Sequence, residues 1–408
     1  MSFVENLRCR ECGRLYPVGA YHACEFCFGP LEVTYDYDAI KQVISREKIE
    51  SGPQTIWRYS DLLPTKATPS LDLGAGFTPL LRAEHLASEL GLKNLYLKDD
   101  TRNPTGSFKD RVVSVALSKA RELGLKVAAC PSTGNLANSV AAHAARAGME
   151  AYIFVPSNLE HNKIVMSAIF GGNLIAVDGN YDQVNRLCAE LAMIHEDWAF
   201  VNVNVRPYYA EGSKTLAFEV AEQLGWQLPD HVVVPIASGS QLTKIHKGFN
   251  ELAALGLTGE NHVRISGAQP LGCSPVAEAF LSDRDYIKPV KPDTIAKSLA
   301  IGNPADGWYA VETIRQTGGG AAAVSDEELL EGISLLARTE GLFAETAGGV
   351  TIASLVKLVN SGVIKRDETV VAYITGNGLK TIEALGENVG PTATIAPNID
   401  SFEELLYR

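Results

Sequence analysis

The chain has 408 residues, of which 46% are apolar and 21% charged, and its formal net charge at pH 7 is −12. This length predicts about two or three domains with substantial cores, in a protein of ordinary globular composition. No apolar run approaches the ~18 residues that indicate a membrane span, and no basic tract marks a nucleic-acid surface. The first residues also lack an apolar signal core, so we expect a cytoplasmic protein with no membrane or nucleic-acid partner.

Two cysteine pairs open the chain. Cys9 and Cys12 form one C-x2-C knuckle, and Cys24 and Cys27 form a second after an eleven-residue spacer. Each knuckle presents two thiolates, and four thiolates complete the tetrahedral shell of a structural zinc ion without an open position for catalysis. We therefore predict a zinc-ribbon-like module over residues 1–35. A remnant that no longer binds metal and a redox pair are the alternatives.

The rest of the chain alternates β-rich runs with helical patterns, as βαβ units of parallel sheets do. Helices are predicted between most strands, including a continuous one over 211–225 and a final one from about residue 379. The architecture expected from this is two open α/β units, which bind ligands beyond the carboxyl ends of their strands. The predicted strands lie at 94–98, 127–130, 151–155, 173–177, 200–204, 231–236, 263–268, 320–324 and 369–374.

A lysine stands at the start of one of these helices. A turn over residues 104–107 precedes Lys109, and apolar residues then recur at spacings of three and four over 110–123. The positive end of the helix dipole disfavours a permanent cation there. It suits an amine that works neutral, or as an imine beside a bound anion. Taken alone, such a lysine is more often an ordinary surface residue.

Three loops follow predicted strands and precede helices, where backbone N–H groups favour anions. The first contains Ser132, Thr133 and Asn135 and can hold a carboxylate. The second, residues 237–241, consists mostly of small residues and could hold a phosphate, although it is neither a dinucleotide fingerprint nor a P-loop. Thr375 begins the third. A lysine, a phosphate-sized loop and a carboxylate-sized loop together fit pyridoxal phosphate holding an amino acid.

Five segments, in this order and spacing, resemble the fold-type II pyridoxal-phosphate enzymes, and among them threonine synthases most closely. They are NPTGSFKDR (103–111), STGNLANS (132–139), AEGSKTLAFEV (210–220), LFAETAGG (342–349) and TGNGLK (375–380). Two further segments are similar to threonine synthases: IGNPADGW (301–308) and GAQPLGCSP (267–275). The N-terminal cysteine module is similar to an extension that a subset of these enzymes carries.

This resemblance implies a fold of the tryptophan synthase β-like kind, with two open parallel α/β domains beside the N-terminal module. The larger, cofactor-binding domain would comprise residues 36–112 and 210–408, and the smaller would comprise residues 113–209. The family also implies a homodimer.

The resemblance further implies a role for each matching residue. Lys109 would form the Schiff base with pyridoxal phosphate, and Asn135 would bond the ring hydroxyl. Ser132 and Thr133 would lie near the substrate carboxylate. Thr375 would meet the pyridine nitrogen, which a hydroxyl does not force to stay protonated. The residues expected around the cofactor phosphate are Ala237, Ser238, Gly239, Ser240 and Gln241.

The implied reaction converts O-phospho-L-homoserine and water to L-threonine and phosphate. The Lys109 amine would move protons at Cα and Cβ, while the cofactor serves as the electron sink. The alternatives are a threonine dehydratase, or a cysteate or cysteine synthase acting on phosphoserine. A zinc-ribbon interaction protein that has lost catalysis is an alternative of another class.

Two stretches depart from the family pattern. The phosphate loop, residues 237–241, is less rich in Gly and Asn than in many members, although backbone N–H groups do most of the binding there. The second stretch is residues 204–210. Tyr209 stands where many members have an arginine, which leaves open the group that holds the substrate phosphate. Arg206 could replace that arginine, and Lys98, Arg102 and Lys214 are candidates by their positions alone.

Overall fold

The computed structural model describes residues 2–66, 71–132, 134–157, 161–179 and 181–406. Among the described residues, the strands form a three-stranded, a six-stranded and a four-stranded sheet. In this part of the chain, no helix combines the length and apolar character that a membrane crossing requires.

The N-terminal module is a small antiparallel sheet. Strand β1 (Val4–Cys9) lies between β2 (Leu15–Tyr16) and β3 (Leu31–Tyr35). Leu7 and Val33 oppose each other across it and are buried. Their burial attaches the module to the body of the protein rather than leaving it on a linker. Two short helices follow, α1 (Tyr37–Lys41) and α2 (Arg46–Glu50), and then a 3₁₀ segment (Ile56–Leu62).

The chain then passes through the first strands of the large sheet and the whole of the smaller sheet. In order, these elements are β4 (Leu80–Arg82), α3 (Glu84–Leu90), β5 (Asn94–Asp99), α4 (Lys109–Glu122), β6 (Val127–Pro131), α5 (Asn135–Ala147), β7 (Glu150–Pro156), α6 (His161–Ala168), β8 (Asn173–Val177), α7 (Tyr181–Ile194) and β9 (Trp198–Phe200). The smaller sheet has the order β8-β7-β6-β9 and is parallel throughout.

The second series completes the large sheet. Its elements are α8 (Arg206–Glu211), α9 (Lys214–Gln223), β10 (His231–Pro235), α10 (Ser240–Ala254), β11 (Arg264–Pro270), α11 (Pro275–Leu281), α12 (Gly307–Gln316), β12 (Ala321–Val324), α13 (Asp326–Glu340), α14 (Thr346–Asn360), β13 (Thr369–Ile374) and α15 (Ile399–Leu406). The strand order is β12-β11-β10-β13-β5-β4, parallel except for the edge strand β4. Apolar clusters cover both faces of this sheet, as a parallel sheet requires.

The two open parallel sheets confirm the predicted fold class, and two helices differ from expectation. The helix expected over 211–225 is divided into α8 and α9 near Gly212. A Cβ on Gly212 would lie 2.7 Å from the carbonyl oxygen of Arg111, so the missing side chain lets this junction contact the backbone of α4. The expected final helix is instead two 3₁₀ segments, Gly378–Lys380 and Ile382–Asn388. The second is kinked at Gly386, whose φ is 55°.

Candidate active site

Backbone hydrogen bonds connect the Lys109 turn to the loop after β13. The N–H of Phe108 donates to the carbonyl of Thr375, and the N–H of Asn377 donates to the carbonyl of Gly106, both at 2.9 Å. A further bridge pairs Ser107 with Gly376. The start of α4 is therefore held directly against the carboxyl end of a central strand of the large sheet.

The Lys109 side chain is half-buried and its amine has a specific partner. Its Nζ donates to the phenol oxygen of Tyr209, 2.9 Å away, and lies 4.4 Å from the ring centre of Phe108. Tyr209 comes from α8, so this bond joins two elements that are a hundred residues apart. The residue that departs from the family pattern thus contacts the predicted reactive amine.

Asp110 holds the turn that carries Lys109. Its buried carboxylate accepts from the N–H and the hydroxyl of Thr105, at 2.6 and 2.8 Å, and from the hydroxyl of Ser139 on α5, at 2.6 Å. Charged hydrogen bonds of this kind are stronger than neutral ones. They fix the turn to α5, which begins in the loop predicted to hold a carboxylate.

A buried ionic network lies beneath the same helix. Arg111 bonds Asp100 at 2.7 and 2.8 Å and also forms two bonds to Glu219. Lys98 donates to Glu219 at 2.6 Å and to the carbonyl of Thr78 at 2.6 Å. Burial alone would raise the pKa of Glu219, but Arg111 and Lys98 outweigh it and lower that pKa to about 2.

Asn135 contacts a buried carboxylate that was not among the predicted site residues. Its Nδ2 donates to both oxygens of Glu345, at 3.1 and 2.9 Å. Burial raises the pKa of the Glu345 carboxyl, against the opposing effects of Asn135, Lys380 and Lys109. A Cβ on Gly376 would lie 2.3 Å from a carboxylate oxygen of Glu345, so a side chain there would displace the carboxylate. The signal available beforehand was the segment LFAETAGG, whose only charged residue is Glu345.

A second lysine also lies close to this carboxylate. Lys380, from the loop after β13, is buried and donates from Nζ to the Oδ1 of Asn138 at 3.0 Å. Burial lowers its pKa, while Glu345 and Asp110 act in the opposite direction. Lys380 is the last residue of the segment TGNGLK, and no role was predicted for it.

The loop over residues 237–241 connects β10 to the start of α10. Gly239 has a φ of 91°, and a Cβ there would lie 2.5 Å from the carbonyl oxygen of Asp306. The first N–H groups of a helix have no intrahelical partner, and the Nε2 of Gln241 is buried without a hydrogen-bond partner among the described residues. The combination of a helix start, a glycine in a left-handed conformation and an unpaired amide fits a phosphate group.

The other predicted ligands are distributed around these loops. Ser132 is buried at the end of β6, and its hydroxyl accepts from the N–H of Gly134 at 3.4 Å. Thr375 is buried at the end of β13. Thr133 lies outside the described residues.

The candidates for the substrate phosphate differ in how accessible they are. Lys98 is fully buried, and its amine is bonded within the ionic network. Lys214 is also fully buried, and its Nζ lies 2.7 Å from a carboxylate oxygen of Glu211 and 2.9 Å from one of Glu251. Arg102 is exposed and pairs with Asp99. Arg206 begins α8, one turn before Tyr209, and its partly exposed guanidinium pairs with Asp306.

The four N-terminal cysteines converge. All four sulfur atoms lie within 4.8 Å of one another. Cys9 and Cys27 are 3.4 Å apart, and Cys12 and Cys24 are 3.7 Å apart. Four sulfurs at such distances can surround one ion, because zinc–sulfur bonds are about 2.3 Å long.

The sequence of this chain is similar to a family of enzymes and to two of its members over most of their length. Residues 71–376 match the family described as pyridoxal-phosphate dependent enzyme. The chain is 41% identical to the threonine synthase of Methanocaldococcus jannaschii over 92% of this chain and 93% of that protein. It is 37% identical to the threonine synthase of Methanosarcina acetivorans over 98% of both.

Solved structures show the same fold at lower identity. Diaminopropionate ammonia lyase from Escherichia coli superposes with a TM-score of 0.64 at 18% identity, covering 80% of this chain and 96% of that one. Threonine deaminase isoform 2 from Solanum lycopersicum gives 0.63 at 22% identity, with 80% and 91% covered. At these identities the likeness shows the fold alone.

Proposed function

The chain belongs to the threonine synthase family of pyridoxal-phosphate-dependent enzymes, and on this premise we propose how its residues convert O-phospho-L-homoserine and water to L-threonine and phosphate. The observation that carries the assignment is similarity over nearly whole chains, with 37% and 41% identity across 98% and 93% of two relatives. The arrangement around Lys109 supports it, because a lysine with a defined partner lies against the loop after β13, and Lys380 of that loop contacts α5.

The cofactor would be held at three points. Lys109 would bind it covalently, and residues 237–241 would bind its phosphate through the first N–H groups of α10. Asn135 would bond the ring hydroxyl through its side-chain amide. Thr375 would place its hydroxyl at the ring nitrogen. Bound pyridoxal phosphate supplies an electron sink for the carbon atoms next to the substrate nitrogen.

The Lys109 amine would then act as the base and acid at Cα and Cβ of the substrate. Tyr209 accepts a hydrogen bond from this amine at 2.9 Å, so the phenol orients Nζ when it is not bonded to the cofactor. When ionised, Glu345 would keep the Asn135 amide in one orientation, because the oxygens of a carboxylate can only accept from Nδ2. The hydroxyl of Ser132, and that of Thr133, would bind the substrate carboxylate at the start of α5.

We assign the substrate phosphate to Arg206 rather than to Lys98 or Lys214. Both lysines are fully buried in ionic contacts, and bringing a phosphate to either would break a buried charge pair with a glutamate. Arg206 lies on the same helix as Tyr209 and keeps a quarter of its side chain exposed, at 24%. Its planar guanidinium also suits a phosphate better than a lysine amine does.

The metal site, the oligomeric state and the domain division complete the proposal. We propose that Cys9, Cys12, Cys24 and Cys27 bind one structural zinc ion, and that the enzyme is a cytoplasmic homodimer. The division into a cofactor domain (36–112 and 210–408) and a smaller domain (113–209) follows the two sheets. Closure of the smaller domain would exclude water until the hydration step.

Incubation of the purified holoenzyme with O-phospho-L-homoserine tests the activity. We expect phosphate and threonine in equal amounts, and no turnover by a Lys109→Ala variant that keeps the wild-type circular dichroism spectrum. Formation of 2-oxobutyrate from threonine, or turnover of phosphoserine with sulfide or sulfite, would instead assign the chain to one of the alternative reactions.

A further inference from the structure

Asp306 belongs to the segment IGNPADGW, for which the proposed mechanism has no role. It immediately precedes α12 and is buried, with 5% of its surface exposed. Its backbone and its carboxylate contact different parts of the molecule. Together these contacts join the predicted cofactor-phosphate loop, the cysteine module and helix α8.

The backbone of Asp306 shapes the cofactor-phosphate loop. Its N–H donates to the carbonyl of Ser238 at 2.8 Å. Its own carbonyl lies against Gly239, where no side chain could fit. This bond fixes the Ser238 carbonyl toward Asp306 and so holds the loop that leads into α10, where the first N–H groups of a helix have no intrahelical partner and favour an anion.

The carboxylate of Asp306 binds the cysteine module. Arg10 lies between Cys9 and Cys12, and its Nη1 is 3.5 Å from the Oδ1 of Asp306. The Arg10 guanidinium also lies 3.5 Å from the ring centre of Tyr309 on α12. Tyr309 in turn donates to the carboxylate of Glu11. The first cysteine knuckle therefore contacts the start of α12 through two consecutive residues.

The second carboxylate oxygen of Asp306 binds Arg206, one turn before the partner of Lys109. A displacement of Asp306 would therefore move Ser238 in the cofactor-phosphate loop, and it would also move Arg206, which we assign to the substrate phosphate. Arg10 and Asp306 are therefore enough to connect the cysteine module to the cofactor-phosphate loop.

We propose that Asp306 is a positioning residue for the cofactor-phosphate loop, and that Arg10 couples this loop to the cysteine module so that a metal-loaded module strengthens cofactor binding. The proposal rests on the proposed function. A metal ion bonded to Cys9 and Cys12 fixes the knuckle that carries Arg10. Without the ion, the knuckle gains conformational freedom and the Arg10–Asp306 pair weakens.

The affinity for pyridoxal phosphate tests this directly, measured from the change in protein fluorescence as the cofactor is added. We expect the dissociation constant to rise about tenfold for Asp306→Asn, which loses both charge pairs. For Arg10→Met we expect about a threefold rise, because that pair is partly exposed. Arg14→Met is the matched control: it removes the same charge from the same module, but its guanidinium contacts Phe26 instead.

A second readout separates positioning from a general loss of stability. The phosphorus NMR resonance of the bound cofactor should shift in Asp306→Asn and Arg10→Met, while the visible absorption band of the Lys109–cofactor bond stays unchanged. Both variants should keep the zinc content of Arg14→Met. If Arg10→Met binds the cofactor as Arg14→Met does, with the same resonance, the coupling is wrong. Wild type without any visible band would instead refute the proposed function.

Removal of the metal completes the test. A chelator should raise the dissociation constant of pyridoxal phosphate in wild type and in Arg14→Met, and raise it no further in Arg10→Met. An equal rise in all three proteins, or none in wild type, would show that the metal does not act through Arg10.

Discussion

At the scale of single residues, hydrogen-bond partners set the position of the Lys109 amine and of the side chains around it. Its amine donates to Tyr209, and the nearby Asn135 is bound by the buried Glu345. Neither Tyr209 nor Glu345 has a local sequence pattern that predicts these contacts. Both supply an oxygen that accepts a hydrogen bond at a place where the proposed chemistry needs a defined geometry.

Replacing Tyr209 by phenylalanine tests its contact with the amine. We expect kcat for phosphate release to fall by about 10- to 100-fold, as for a mispositioned proton-transfer group, with cofactor content unchanged. Tyr208→Phe is the control, because the adjacent tyrosine bonds Gly19 of the cysteine module instead. Equal rates for Tyr209→Phe and Tyr208→Phe would show that the phenol at 209 does not orient Lys109.

The buried carboxyl of Glu345 makes the free energy of unfolding depend on pH. Burial raises its pKa above the ordinary value of 4.5, so the folded apoprotein binds this proton more tightly than the unfolded chain does. The stability that its protonation contributes is present at low pH and is lost as the pH rises from the unfolded pKa through the folded one.

We therefore expect the stability of Glu345→Gln relative to wild type to increase as the pH rises from about 4 to about 8. Urea unfolding of the apoproteins at several pH values measures it. The exposed Glu331→Gln on α13 is the control and should show no such trend. A difference that falls with rising pH would mean that the native site prefers the charged carboxylate.

At the scale of elements, the buried ionic network joins α4 to its surroundings. Arg111 lies two residues after Lys109 and pairs with Asp100, just after β5, and with Glu219 on α9. Lys98 on β5 completes the network. The charges balance, and all four side chains are buried. The network therefore holds the start of α4 in a fixed position between β5 and α9.

Breaking this network should be costly. We expect Arg111→Met to reduce the free energy of unfolding by about 3–5 kcal/mol, because the buried Asp100 loses Arg111 and Glu219 is left with Lys98. Urea denaturation of the apoprotein measures this. Arg186→Met removes an exposed i,i+4 pair with Glu190 and should cost less than about 1 kcal/mol. Similar losses in both variants would contradict the role of the network.

At the scale of the whole molecule, the cysteine module is part of the body of the protein. Leu7 and Val33 share a hydrophobic core with Val113 of α4 and Val140 of α5. Lys244, in the second turn of α10, pairs with Glu32 of β3. The cysteine module thus packs against the helices that begin at the predicted site. A metal ion bound by the four cysteines would therefore stabilise these helices as well as the strands of the module.

Metal analysis tests the site that the cysteines form. We expect one zinc ion per chain in wild type and in Cys273→Ser, whose cysteine is buried elsewhere. In Cys9→Ser we expect loss of zinc and a lower thermal midpoint, because metal binding adds to folding free energy. Zinc retained in Cys9→Ser, or absent from wild type, would rule out the four-cysteine site.

Local patterns in the sequence determined much of this protein. The alternation of strands and helices predicted the parallel α/β fold, and the two C-x2-C pairs predicted a cluster that the structure brings together. Helix periodicity and turn residues placed Lys109 at the start of a helix, as the structure has it. Each of these signals depends on residues that are close in the chain.

The tertiary structure decided which distant residues meet. Asn135 and Glu345 are 210 positions apart, and Arg10 and Asp306 are 296 apart. Their contacts depend on how sheets and helices pack, which no local pattern specifies. The burial of Lys98 was also decided at this level, because charge alone does not show whether a lysine faces a ligand or a buried glutamate.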